Sequence, residues 1–211
     1  EAVAWRILDT GFANGTQFFE TWSFWQRDPH RPRVLHYVAL CEAACTAADL
    51  ESHGHSSPEL SPLTRALAAQ WWGLLPGFHR FSLDHGRVLL TLCVGHLLPM
   101  LKAQRFETDQ IVFHVPATCD SDWPWVLKAL TRCCRRGTAL RLQPELGTSG
   151  CDDQAERVKS LEHAGFQLVP HPTSIRPSEP TAPLWQFDPP WKIKKGRHFT
   201  LAPLVSPGRC V

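Results

Sequence analysis

The chain has 211 residues, 43% of them hydrophobic, and its formal net charge at pH 7 is only +2. These values are typical of one globular α/β domain with a tail, and they exclude a strong overall field toward nucleic acid or membranes. No apolar run is long enough to span a membrane and no signal peptide opens the chain, which predicts a cytoplasmic protein. The first residue is Glu1, so we expect a piece of a longer chain.

Predicted strands alternate with predicted helices along the first 171 residues. The strands are Ala2–Asp9, Val34–Leu40, Gln110–Val115, Thr138–Leu142 and Phe166–Val169, with a hairpin of Phe78–Leu83 and Arg87–Val94. The helices are Thr16–Gln26, Cys41–Leu50, Glu59–Trp72, Leu97–Ala103, Trp123–Cys134 and Asp152–Ala164, and Glu51–Pro58 is a polar loop. This order predicts a mostly parallel sheet with helices on both faces.

The tail has a different composition, because proline recurs after residue 171. This predicts an extended linker over residues 172–207. We expect residues 208–211 to begin a further domain.

The eight cysteines show neither a Cys-x-x-Cys pair nor zinc-finger spacing. Most of them lie in apolar runs, where a thiol behaves as a small hydrophobic group. We therefore predict reduced, mostly buried thiols, with no structural metal.

The turn between the first strand and the first helix is the best candidate ligand site. Ligands of open α/β sheets bind beyond the carboxyl ends of the strands. Gly11 and Gly15 allow a close backbone approach, and Asp9 is placed to accept a hydrogen bond from a ligand amine. A tight turn without a ligand remains the alternative.

Several stretches of the chain together resemble one protein family. They are Ile7-Leu8-Asp9-Thr10-Gly11-Phe12, Leu35-His36-Tyr37-Val38, Thr46-x-x-Asp49-Leu50, Leu74-Leu75-Pro76-Gly77-Phe78-His79-Arg80 and the hairpin around Gly86-Arg87-Val88. The chain is similar here to the amino-terminal methyltransferase domain of the bifunctional tRNA 5-methylaminomethyl-2-thiouridine biosynthesis proteins, the MnmC family. The resemblance covers about residues 5 to 169, and a Pro-Pro-Trp element at residues 189–191 matches the family's linker.

The resemblance implies the S-adenosylmethionine-dependent methyltransferase fold: a Rossmann-like, mostly parallel seven-stranded sheet with an inserted β-hairpin and a proline-rich tail. The domain would be residues 1–171. The implied reaction moves a methyl group onto the 5-aminomethyl nitrogen of a wobble 2-thiouridine in tRNA. The implied partners are tRNA and an FAD-dependent oxidoreductase domain in the same protein, which alone would hold FAD.

The family pattern also assigns roles to individual residues. It implies cofactor binding by Asp9, Gly11, Asn14, Gly15, Cys41, Glu42 and His96, and a catalytic position at His114. The sequence departs from the pattern at several of these positions. Cys41, His96 and His114 each stand where the family has an acidic residue, and Ala13 replaces a glycine.

These replacements have an energetic consequence. Each unpaired polar contact costs about 1–3 kcal/mol, so losing two or three would weaken cofactor binding by about two to four powers of ten. Glu42 substitutes for Cys41 if the loop shifts, and His114 is a candidate proton acceptor because histidine is a frequent general base.

Three functional hypotheses follow. The first is a working S-adenosylmethionine-dependent tRNA methyltransferase domain. The second is a non-catalytic domain that docks the oxidoreductase half and helps bind tRNA. The third, a dinucleotide-dependent oxidoreductase, lacks the full Gly-x-Gly-x-x-Gly pattern.

Two groups of residues, one aromatic and one basic, have either a structural role or a role in contacting RNA. Helical spacing predicts core and interdomain packing for the tryptophans Trp22, Trp25, Trp71, Trp72, Trp123 and Trp125, and base stacking is the alternative. Residues 123–125 are the best candidates for touching a nucleoside or a neighbouring domain. Cations at the predicted helix end (Arg132, Arg135, Arg136) and in the linker (Lys192, Lys194, Lys195, Arg197) either face solvent or contact tRNA phosphates.

Overall fold

The structure is a computed structural model that describes residues 3–114, 122–143, 151–169 and 184–191. Most of the predicted linker, its four basic residues and the predicted start of a further domain lie outside the described residues. Within the described part of the chain, no helix is both long and apolar enough to cross a membrane.

The elements follow the alternating order that the sequence predicts. The strands are β1 (Ala4–Asp9), β2 (Val34–Cys41), β3 (Gly77–Leu83), β4 (Val88–Val94), β5 (Thr108–His114), β6 (Cys134–Gln143), β7 (Phe166–Leu168) and β8 (Leu184–Phe187). The helices are α1 (Thr16–Arg27), α2 (Ala47–Ser56), α3 (Ser61–Ala68), α4 (Leu97–Ala103), α5 (Trp123–Thr131) and α6 (Cys151–His163).

The strands form one sheet with the order β3-β4-β2-β1-β5-β6-β8-β7. The central strands β4, β2, β1, β5 and β6 are parallel, and β3 extends the sheet as the antiparallel arm of a hairpin with β4. At the other end β8 runs antiparallel to both β6 and β7. All seven predicted strands, including both arms of the hairpin, are therefore present, and β8 is an eighth strand that the sequence did not predict.

Apolar side chains cover both faces of this sheet. On one face α1 buries Phe18, Phe19, Trp22 and Trp25 against the side chains of β1 and β2. On the other face α5 and β5 share a second buried cluster, in which Phe113 meets Trp123 edge to face. Burial on both faces is the expected consequence of a parallel sheet, whose crossovers place helices on each side.

The second crossover differs from the prediction. A helix was expected over Cys41–Leu50, but β2 continues to Cys41 and α2 runs from Ala47 to Ser56, through much of the predicted polar loop. The reason is a reciprocal cap, in which the Asp49 amide donates to the Thr46 hydroxyl while the Asp49 carboxylate accepts from the Thr46 amide.

Two predicted helices are longer than the observed ones. One helix was predicted over Glu59–Trp72. The structure instead has a 3₁₀ turn at Pro58–Leu60, followed by α3, which ends at Ala68. The helix predicted over Trp123–Cys134 ends at Thr131 in the structure. The next strand, β6, begins at Cys134, four residues before its predicted start at Thr138. In both cases buried apolar residues follow soon after the observed helix, namely Trp71 after α3, and Cys133 and Cys134 after α5. They continue the apolar pattern of the sequence, so the predicted helices were too long.

The predicted domain boundary at residue 171 is corrected by β8. Trp185 and Phe187 lie inside the sheet with only 2% and 3% of their surface exposed. The segment that follows is also held, since Arg136 pairs with Asp188 and donates to the Pro189 carbonyl at 2.8 Å. The packed domain therefore includes residues that the proline-rich composition assigned to a linker.

Candidate functional site

The candidate site lies at the carboxyl edge of the parallel strands. There the first turn follows β1, Cys41 ends β2, His96 follows β4 and His114 ends β5. Backbone hydrogen bonds connect these ends, because the Phe12 amide donates to the Leu40 carbonyl at 2.9 Å and the Gly95 amide donates to the Cys41 carbonyl at 2.8 Å. The structure thus brings together the positions that the sequence predicts at one edge.

Asp9 is completely buried at the centre of this edge. Its Oδ1 accepts a hydrogen bond from the Gly11 amide at 2.9 Å, and its Oδ2 accepts one from the Tyr37 hydroxyl at 2.7 Å. A buried carboxylate is tolerated only when such partners satisfy it. The predicted contact between Asp9 and a ligand amine stays a prediction, and it requires this turn to open.

His114 lies directly against Asp9. Its Nε2 is 3.3 Å from Oδ1 of Asp9, and its side chain is 36% exposed. The pair is close enough for electrostatic attraction but is not aligned as a hydrogen bond, and Nε2 itself is buried. The exposed part of the imidazole is therefore the part that faces away from the carboxylate.

Gly11 is the residue that makes room for this histidine. A Cβ atom at Gly11 would lie 2.5 Å from Cγ of His114 and 2.7 Å from Cδ2. Real Cβ atoms do not approach other atoms so closely, so the close contact of turn and imidazole requires glycine at this position.

The rest of the turn begins α1. Gly15 has a φ of +81° and precedes the helix, and Ala13, where the resemblance leads us to expect a glycine, has a φ of +47°. A left-handed alanine costs about 1–2 kcal/mol relative to the right-handed region. Asn14 accepts a hydrogen bond from the Thr16 hydroxyl at 2.7 Å, so its predicted role at a cofactor competes with a local one.

The ends of β2 and β4 present a different set of groups. Burial is the main cause that raises the pKa of the Cys41 thiol to about 12, and the neighbouring thiols and Asp9 raise it further. Glu42 and His96 are 81% and 87% exposed, and their closest oxygen and nitrogen atoms are 3.9 Å apart. Cys41 is therefore a neutral, half-buried group, and Glu42 is the acid available to a ligand.

Sequence reasoning missed the two residues that hold Asp9 and His114 in place. Tyr37 satisfies the Asp9 carboxylate, and the Thr10 hydroxyl accepts from the His114 amide at 2.9 Å. One signal was present for Tyr37. It is the only tyrosine of the chain and falls in a strand predicted to be buried, where its hydroxyl needs a partner.

The six tryptophans of the predicted aromatic set divide into two groups. Core packing is confirmed for Trp22, Trp25, Trp71 and Trp123, which are at most 8% exposed. Trp72 and Trp125 are 78% and 54% exposed, so neither packs in the core of this chain. The predicted contact of residues 123–125 with a nucleoside or a neighbouring domain stays a prediction.

The three arginines at the predicted helix end, Arg132, Arg135 and Arg136, lie in two different elements of the structure. Arg135 and Arg136 lie in β6, where they pair with Asp109 and Asp188, so they do not face a helix dipole. Arg132 follows the last turn of α5 and is exposed.

The cysteines show no disulfide among the described residues. Cys93, Cys133 and Cys134 are buried free thiols, and Cys41 and Cys45 are half-buried free thiols. In the described part of the chain, no group of three or more His, Cys, Asp or Glu side chains is arranged to hold a metal ion.

The strand order and the glycine turn after β1 define the class of protein: a Rossmann-like fold of the S-adenosylmethionine-dependent methyltransferase type. A solved structure, the fibrillarin pre-rRNA processing protein of Methanococcus jannaschii, superimposes on 89% of this chain and 68% of its own with a TM-score of 0.50 at 12% identity. That likeness supports the fold alone. No family model matches the sequence.

Sequence relatives define the family more closely. The chain is 41% identical, over 98% of its length, to the tRNA 5-methylaminomethyl-2-thiouridine biosynthesis bifunctional protein MnmC of Albidiferax ferrireducens. It is 38% identical, again over 98% of its length, to the protein of the same name from Verminephrobacter eiseniae. The chain spans 35% and 33% of these two relatives. It belongs to the MnmC family and corresponds to the methyltransferase domain.

Proposed function

We propose that this chain performs the methyl-transfer step of tRNA wobble-uridine modification, acting on the aminomethyl nitrogen at C5 of 2-thiouridine. The names of its relatives support this pathway step, and the fold supports the reaction class. The observation that most supports activity is the pairing of His114 with the buried carboxylate of Asp9 at the glycine turn. The oxidoreductase activity of a bifunctional protein would belong to a separate FAD-dependent domain.

The residues at the carboxyl edge fit S-adenosylmethionine. The first turn would approach it through backbone at Gly11 and Gly15, and the exposed carboxylate of Glu42 would accept hydrogen bonds from the ribose hydroxyls. Glu42 takes this role because the neighbouring thiol of Cys41 is neutral. When bound, the cofactor supplies an electrophilic methyl group on a sulfonium sulfur.

We assign His114 as the base because it lies at the carboxyl edge beside a buried acid. Its Nε2 side faces Asp9 at 3.3 Å without a hydrogen bond, so the exposed side of the ring is left to meet the substrate amine. In methyl transfer the imidazole would accept the proton that the methylated amine releases. A positioned base of this kind contributes about 10²–10⁴ in rate.

A transfer assay tests the proposal. The purified chain is incubated with S-adenosylmethionine labelled in its methyl group and with tRNA that contains 5-aminomethyl-2-thiouridine, and the labelled nucleoside is quantified. We expect His114→Gln to lower kcat by about a hundredfold or more. The control His163→Gln, at an exposed helix end, should leave the rate unchanged. Equal rates for wild type and His114→Gln would contradict the role of His114.

A second candidate function is a non-catalytic domain that docks the oxidoreductase half and helps bind tRNA. One observation favours it: both oxygens of Asp9 are already used inside the chain, and the position of the family's ribose acid holds the neutral thiol of Cys41. Under this function the wild-type chain transfers no methyl group but still binds tRNA.

A further inference from the structure

The surface formed by α4 and α5 combines an exposed aromatic ring with a concentration of positive charge. Trp125, in the first turn of α5, is 54% exposed. The ammonium groups of Lys102 and Lys128 lie over its ring, 5.9 and 5.3 Å from the ring centre, so a stacked base would take the place of an ammonium group on the ring. Two cations beside one exposed tryptophan are an unusual concentration in a chain whose net charge is only +2.

Two arginines extend this charge. Arg105 and Arg132 are exposed and follow the ends of α4 and α5, and both lie near the buried Cys133, whose thiol pKa they lower electrostatically. Arg105 is held by hydrogen bonds to the backbone carbonyls of Lys102 and Gln104 at 2.7 and 2.8 Å. We call Lys102, Arg105, Trp125, Lys128 and Arg132 the α4–α5 basic surface.

No acidic group neutralises this surface from the two helices themselves. The segments Leu97–Ala103 and Trp123–Thr131 contain no Asp or Glu. Among the described residues, no carboxylate lies within 4.0 Å of any of the four cations. The nearest acidic residues in sequence are Asp122 and Glu107, which flank the two helices and are exposed.

The surface also adjoins the candidate site. The helix α4 follows the end of β4 at His96, and α5 is the next helix after the end of β5 at His114. The two helices pack against each other. Because α5 connects the parallel strands β5 and β6, its first turn with Trp125 lies toward the carboxyl edge, whereas Arg105 and Arg132 come just before β5 and β6 and lie toward the other edge. The Trp125 end of the surface is therefore the end nearer the site.

We infer that the α4–α5 basic surface binds the unpaired loop of an RNA, with one base stacked on Trp125 and the flanking phosphates on the four cations. Aromatic rings stack on any base, and lysines and arginines neutralise phosphates, so this combination fits single-stranded nucleic acid. A protein partner would be expected to cover an apolar patch instead. The identification of the RNA as the loop that holds the modified uridine rests on the proposed function.

Fluorescence anisotropy with a labelled tRNA anticodon stem-loop, measured without cofactor, tests this inference. We expect Trp125→Ala to weaken binding about tenfold or more and Trp125→Phe to retain most of it, because a phenyl ring still stacks. The matched control is Trp72→Ala, which removes a tryptophan that is 78% exposed in the segment after α3. This control should bind like wild type.

The lysines have their own readout. The double variant Lys102→Ala/Lys128→Ala should reduce the slope of log affinity against log salt by about 1.4, since each phosphate contact on a single strand contributes about 0.7. The control Arg65→Ala/Lys159→Ala removes two exposed cations elsewhere and should leave the slope unchanged. Thermal melts confirm that each variant is folded.

Two outcomes would overturn the inference: wild-type affinity in Trp125→Ala, or an equal loss in the Trp72 control. If Trp125→Ala binds RNA normally but no longer associates with the FAD-dependent half, the surface is a protein interface and the inference is wrong. Failure of the proposed function is distinguishable, because it appears as absent cofactor binding while RNA binding still depends on Trp125.

Discussion

The hydroxyl of Tyr37 donates a hydrogen bond to Oδ2 of Asp9 at 2.7 Å, and neither residue is exposed to solvent. This contact joins β2 to the last residue of β1 and fixes the carboxylate beside which His114 lies. It is the contact on which the geometry of the candidate site depends, and its removal has measurable consequences.

Tyr37→Phe should lower the free energy of unfolding by about 1–3 kcal/mol, because one oxygen of a buried carboxylate loses its partner. For a chain of this size the melting temperature should fall by about 2–4 °C per kcal/mol. Urea and thermal denaturation measure both. Ser52→Ala, which removes an exposed hydroxyl from α2, is the control and should change stability by less than about 0.5 kcal/mol. Equal effects would contradict the role of Tyr37.

Gly11→Ala should destabilise the chain by about 1–3 kcal/mol, because its Cβ would lie 2.5 Å from the His114 ring. In a His114→Ala background that ring is absent, so the same substitution should cost much less. A double-mutant cycle of unfolding free energies measures the difference. An identical cost in both backgrounds would show that the ring does not occupy this space.

Truncation tests the corrected domain boundary. A chain ending at residue 171 lacks β8, and with it the buried side chains of Trp185 and Phe187, each worth about 3–5 kcal/mol. We expect that chain to lose its cooperative thermal transition, followed by circular dichroism. A chain ending at Trp191 should melt close to the full chain. A cooperative transition in the shorter chain would restore the boundary that the sequence predicts.

Cys41 should react slowly with iodoacetamide in the folded chain. Since its pKa is raised to about 12, only about one thiol in 10⁴ is ionised at pH 8, and the rate should rise about tenfold per pH unit from there. Because the folded pKa lies above the unfolded value of 9.0, the stability from burying this neutral thiol is full below pH 9 and is lost as pH rises toward 12. Mass spectrometry of the Cys41 peptide measures the rate, with urea-denatured chain as control. A plateau near pH 9 in folded protein would contradict the shift.

The sequence predicts the site's location better than its contacts. Asp9, Cys41, His96 and His114 follow strands that run in parallel, and parallel strands end at one edge of the sheet. This relation depends only on element order, so it could be predicted. The hydrogen bond from Tyr37 to Asp9 depends on the register of β1 against β2, which no local pattern specifies.

The strand Leu184–Phe187 could not be predicted for a related reason. It is four residues long, it lies in a proline-rich context, and its partners β6 and β7 precede it by many residues. Its two inward side chains, Trp185 and Phe187, alternate as a strand requires, but so short a pattern does not separate a strand from a linker. Tertiary pairing decides the structure of this segment.

Calorimetric titration with S-adenosylmethionine tests the central claim most directly, because the proposed activity requires the turn at Gly11 and the carboxylate of Glu42 to hold this cofactor. We expect saturable one-site binding to the folded chain, weakened about tenfold by Glu42→Gln and strengthened by Cys41→Glu, which restores an acid at the end of β2. The exposed Glu59→Gln is the control and should bind like wild type. The absence of saturable binding to folded wild-type chain, together with no gain in Cys41→Glu, would contradict the account and leave the non-catalytic function.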